Sequence, residues 1–103
     1  MTELPQVIFQ KWGHSFEEDT GAITVYRPSE YEFPLARGRA GIEFKSDGTF
    51  IDWEIGPTDS QQPLYGRWQI EGSDRLQVLF NDGAPRSLEI LECSEEKLSV
   101  RNK

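Results

Sequence analysis

Apolar and polar residues alternate along most of this chain in short runs, broken by turn residues at intervals of about ten, the spacing of successive antiparallel strands. From Trp12 the alternation sets Trp12, His14, Phe16 and Glu18 on one face and Gly13, Ser15 and Glu17 on the other. Asp19-Thr20-Gly21-Ala22 reads as a tight turn in which Gly21 supplies a positive φ. The next run, residues 23–27, stops at Pro28. A two-residue turn at Thr20 and Gly21 then sets Glu18 opposite Ile23, Phe16 opposite Val25 and His14 opposite Arg27.

Residues 41–45 alternate, Ser46-Asp47-Gly48 turns the chain, and residues 49–55 set Ile51, Trp53 and Ile55 against Phe50, Asp52 and Glu54. Residues 56–63 are a polar, proline-bounded loop. Leu64, Gly66, Trp68 and Ile70 share the next face, opposed by Tyr65, Arg67, Gln69 and Glu71, before the turn at Gly72-Ser73-Asp74. Leu76, Val78 and Phe80 follow, then the hairpin signal Asn81-Asp82-Gly83, and runs at 87–91 and 97–101 complete eight strands.

Two stretches depart from this pattern. Residues 4–10 allow a short helix with Pro5 in its first turn and Leu4, Ile8 and Trp12 on one side, or an extension of the first strand. Residues 28–39 form the longest irregular segment and are the best candidate for a lid or binding loop. Eight antiparallel strands with one apolar face each predict an all-β meander curled into a small barrel, since closure removes exposed edges; a two-layer sandwich is the competitor. No repeat or linker divides the chain, so residues 1–103 are expected to form a single domain.

Composition narrows the function. The 103 residues hold 18 acidic against 11 basic side chains, a net charge of -7, which disfavours nucleic acid, whose binding draws on neutralised phosphates. Hydrophobic residues make up 36% of the chain and aromatics 12%, enough for one core and against intrinsic disorder. No apolar run approaches a membrane span and no membrane partner is expected. The start carries no secretory pattern, and the single cysteine, Cys93, excludes an internal disulfide, so a cytoplasmic location is expected.

Asp47-Gly48-Thr49-Phe50, Gly66-Arg67-Trp68-Gln69-Ile70-Glu71-Gly72 and the hairpin Leu76-Gln77-Val78-Leu79-Phe80-Asn81-Asp82-Gly83 resemble the small bacterial lipocalin-like domains, over residues 40–103. The first half, with Trp12-Gly13-His14-Ser15-Phe16-Glu17-Glu18-Asp19 and Tyr26-Arg27-Pro28, is similar to bacterial proteins without a known activity. The resemblance implies a barrel or half-barrel able to hold a small apolar ligand, in a chain shorter than typical lipocalins.

Among candidate sites, His14 stands out as a polar residue on an otherwise apolar face, with Arg27 opposite in the inferred register. Together they offer a proton carrier and an anion clamp beside aromatic walls, or else a structural network at the barrel rim. Arg37 and Arg39, spaced by Gly38, are a second candidate anion grip, or partners for surface acids. Trp12, Trp53 and Trp68 pack the core or touch ligand. One His and one Cys far apart do not make a transition-metal site, and no cofactor is expected. Ser15 faces away from His14 on a strand, Asp52 and Glu54 belong to a solvent-facing row, and Cys93 lacks a basic neighbour, so catalysis has little support.

The leading expectation is a non-enzymatic binding module for a small apolar, amphipathic or anionic ligand, using Trp12, His14, Phe16, Arg27, Arg37, Arg39, Trp53 and Trp68 at the barrel mouth. Two alternatives remain: a protein-interaction domain with a packed core, contacting an unknown partner through strand edges or the irregular loop, and an enzyme using His14 as acid or base.

Overall fold

The computed structural model describes residues 4–34, 39–56, 60–72 and 75–102. Among the described residues there are eight strands: β1 (Lys11–His14), β2 (Ile23–Pro28), β3 (Gly41–Phe44), β4 (Thr49–Ile55), β5 (Gln61–Ile70), β6 (Arg75–Phe80), β7 (Pro85–Cys93) and β8 (Leu98–Asn102). They close into one antiparallel barrel in the order β1-β2-β8-β7-β6-β5-β4-β3. Each strand has a neighbour on both sides, so the reading that exposes strand edges to a partner is corrected: closure leaves no edge to pair.

One connection along the chain, from β2 to β3, is not a hairpin. β1 lies between β2 and β3 and is antiparallel to both, so β2 and β3 run the same way. The chain leaving Pro28 must therefore travel back along the barrel before β3 can begin. This is the physical reason for the long irregular segment: it is a return connection. Its ring Phe33 lies over Gly13, where a Cβ would come within 2.7 Å of Phe33 Cζ.

The first hairpin departs from the predicted register. Only residues 11–14 pair as β1, while Phe16–Glu18 form a short 3-10 helix, closed by Glu18 N donating to Ser15 O at 2.9 Å. Gly21 does adopt the left-handed conformation, φ 55°. The inserted helical turn changes the count by one residue, so Gly13 faces Arg27 and His14 faces Tyr26. In a strand such a slip exchanges the two faces. Phe16 and Glu18 therefore do not continue the strand, and His14 and Arg27 are not cross-strand partners.

The inward set follows from pairing with the fully buried Trp12: it faces Pro28 on β2 and Ile42 on β3, and Phe44 faces Phe50 across β3 and β4. Continuing round, Phe50 meets Gly66, Gly66 meets Phe80, Trp68 meets Val78 and Ile70 meets Leu76. Leu88, Ile90, Leu98 and Val100 complete the cluster from β7 and β8. β5 begins at Gln61, with Pro63 opposite Trp53, so part of the predicted 56–63 loop is strand.

The barrel end where β1 starts is closed by the N-terminal segment. Gln6–Ile8 form a 3-10 helix directly after Pro5, whose φ of -64° suits entry into a helical turn. Leu4 and Ile8 are buried with Trp12, and Trp12 Nε1 donates to Ile8 O at 3.0 Å, while Phe9 stacks on Trp68 at 6.0 Å. Among the described residues no helix is long and apolar enough to cross a membrane.

Candidate functional site

At the end of the barrel where β1 finishes, the inward positions change from apolar to polar. β4 contributes Asp52, next in the pleat after Phe50. β7 contributes Arg86, which faces Val78 and lies on the same side as Leu88 and Ile90. The two side chains meet inside, Arg86 Nη2 to Asp52 Oδ2 at 3.0 Å. Because β5 and β6 separate their strands, this ion pair spans the interior. Arg86 also lies over the Phe80 ring, 4.9 Å from its centroid, so its flat face rests on the top of the apolar core.

Tyr26 reaches the same level from β2. Burial, reinforced by the negative charge of Asp52 and opposed by Arg86, pushes its hydroxyl up to about 12. His14, its cross-strand partner, lies with its ring 5.4 Å from that of Tyr26. The imidazole is held in turn by Asp19, whose Oδ2 accepts from Nε2 at 2.8 Å while Oδ1 accepts from Val25 N at 2.9 Å. Asp19 thus fixes the imidazole and the start of β2 at once.

Asp52 is only 13% exposed and Arg86 34%, so the carboxylate lies behind and the guanidinium is the more accessible member. Asp52 accordingly does not belong to the solvent-facing row expected for it: the alternation with Phe50 turns it into the barrel, where Arg86 compensates its charge. The chemistry available is hydrogen bonding and charge at the top of a packed apolar plug. Among the described residues no three His, Cys, Asp or Glu side chains gather as metal ligands.

The other expected site residues are placed as follows. Trp12 is fully buried in the core. Phe16 is 48% exposed and its ring stands edge-on to His14 at 6.1 Å. Arg27 points to the outer face, where Nε and Nη2 donate to the Glu18 carboxylate at 2.8 and 2.7 Å and Nη1 donates to Glu96 O. These bonds, with one from Ser15 Oγ, hold the Glu18 carboxyl at about 2, well below its ordinary value.

Arg39 grips Glu17 through both terminal nitrogens at 3.0 and 2.9 Å, lowering the carboxyl of Glu17, and is sandwiched by Phe16 and Phe33. Trp53 is on the outer face with Nε1 donating to Glu43, and Trp68 is at the opposite end of the barrel with Nε1 donating to Lys45 O. Arg37 lies outside the described residues. Cys93 is half-buried, and burial pushes its thiol up.

The structure therefore brings His14 and Phe16 together, with Tyr26, and separates them from Arg27, Trp53 and Trp68. Sequence reasoning missed Tyr26 and Arg86. The signal for Arg86 is present, since Arg86, Leu88 and Ile90 alternate in phase, but β7 begins at Pro85, two residues before the expected run at 87–91.

The family model of the lipocalin-like domain matches residues 9–100. Comparison with curated proteins and comparison with solved structures give no match.

Proposed function

This chain belongs to the lipocalin-like domain family, and on that premise we propose that it is a non-enzymatic binding module whose mouth, around His14, Tyr26, Asp52 and Arg86, takes a small amphipathic molecule with an acidic or carbonyl head group. The observation that carries the reading is the ion pair across the lumen, with Arg86 as its accessible member. A head group that accepts hydrogen bonds meets the guanidinium, and the apolar body lies against Phe16 and the rim. Phe50, Val78 and Trp12 are fully packed beneath, so the ligand sits high in the barrel.

Intrinsic tryptophan fluorescence or calorimetry across a panel of fatty, aromatic and isoprenoid acids tests this. A saturable response that weakens at least tenfold in an Asp52→Asn/Arg86→Met double variant supports it; no saturable response to any member overturns it.

A second reading is favoured by the outer wall, where Tyr65 is 47% and Leu79 55% exposed on the paired strands β5 and β6. A domain with a packed interior could contact a protein partner through that wall. Retention of all partner binding in a Tyr65→Ser/Leu79→Ser variant would discard it.

A further inference from the structure

A hollow lies outside the barrel, beside Phe33 of the return connection. It measures about 260 Å³ and is bordered by Lys11, Gly13, Ser29, Phe33, Arg39 and Gln61. Its existence follows from the topology. The connection must pass along β1, and at Gly13 there is no side chain to hold it off, so the Phe33 ring comes down to the strand and forms one wall.

Lys11 is the distinctive member. Its ammonium donates to Gln61 Oε1 at 2.7 Å and stands 4.2 Å from the centre of the Trp53 ring. The described ion pairs engage Arg27, Arg39, Arg86, Lys97 and Arg101 with carboxylates, while Lys11, half-buried, has none among the described residues. Gln61 is itself fixed, its Nε2 donating to Arg39 O at 2.7 Å. Both terminal nitrogens of Arg39 are engaged, by Glu17 and by the carbonyls of His14 and Pro34, so it serves as a wall and leaves Lys11 as the positive group of the hollow.

A half-buried ammonium held by a neutral amide and an aromatic face, next to an exposed hydroxyl and a second aromatic wall, is complementary to a small aromatic carboxylate. We propose that this hollow is a binding site for such acids, separate from the barrel mouth. The carboxylate accepts from Lys11 Nζ and Ser29 Oγ, and the ring lies along Phe33. The hollow is small and partly open, so affinity is weak, with a Kd of about 1 mM.

The test is a titration of the full chain with benzoate, followed by amide and side-chain NMR shifts. Saturable shifts centred on Gly13, Ser29, Phe33 and the Gln61 amide are expected, and benzylamine gives none. Lys11→Met weakens benzoate binding at least tenfold, Lys11→Arg retains it, and Ser29→Ala, at an exposed position that leaves the fold intact, weakens it several-fold. An unsaturable response, or equal affinity in Lys11→Met and Ser29→Ala, overturns the proposal. Shifts confined to His14 and Tyr26 also overturn it while supporting the mouth. Loss of binding in the Asp52→Asn/Arg86→Met variant, with Lys11→Met unaffected, would count in the same way.

Discussion

Asp52 and Arg86 meet at 3.0 Å from strands that are not neighbours, so a single ion pair ties opposite walls of the barrel through its interior. Such a pair is nearly neutral for stability when compared with an uncharged replacement, but removing one member strands the other. Arg86→Met leaves the largely buried Asp52 carboxylate unpaired and is expected to cost about 2 kcal/mol, below the range for fully buried pairs because Arg86 is partly solvated. Adding Asp52→Asn should recover most of that loss. Urea unfolding of the four proteins in this cycle measures it, and equal stability of the single and double variants would refute the coupling.

Tyr26 reports on the same interior. Its hydroxyl is pushed from 10.0 up to about 12, first by burial and then by Asp52. Only the neutral phenol suits the folded state, so its contribution to stability is complete below 10 and is lost as the pH rises toward 12. Tyr26 should therefore ionise well above the ordinary tyrosine value in an ultraviolet titration. Between those limits the wild type should lose stability relative to Tyr26→Phe, and Asp52→Asn should lower the Tyr26 midpoint.

Much of this architecture was legible. The alternating runs located all eight strands, and of the two readings of residues 4–10 the short helix is present, as the 3-10 turn Gln6–Ile8 with Leu4, Ile8 and Trp12 buried together. The phase between β1 and β2 was not legible, because Phe16–Glu18 carry no helical signature beyond polar residues in a turn. Their three-residue turn alone decided that His14 meets Tyr26 instead of Arg27. The insertion of β1 between β2 and β3 depends on pairings far apart in sequence, which local periodicity does not encode. The ion pair of Asp52 and Arg86 belongs to that long-range information as well: local alternation sets Asp52 in phase with Phe50 but does not say which of the two faces turns inward.

Glu18 links that short helix to the outer wall. Its carboxyl is held at about 2 by the bidentate Arg27 and then by Ser15, against an ordinary 4.5. Its stabilising contribution is present above 4.5 and is lost as the pH falls toward 2. Glu18→Gln should cost about 1 kcal/mol at neutral pH, a modest figure because the pair is partly exposed. In urea unfolding, the gap between variant and wild type should close as the solution is acidified; a gap unchanged down to pH 2 would contradict the assignment.

Gly13 is the place where the return connection touches the barrel, since any Cβ there would come within 2.7 Å of Phe33. Gly13→Ala asks only that the far edge of the ring move, and a loss of about 1 kcal/mol is expected. Gly13→Leu fills the space of the ring itself and should cost about 2 kcal/mol, lifting the connection from β1. If the clash with the ring is the cause, Phe33→Ala in the Gly13→Leu background should restore part of the stability, although Phe33→Ala alone is destabilising. Thermal unfolding of the set distinguishes this from a requirement for glycine in the β1 backbone, under which the second substitution would give no recovery.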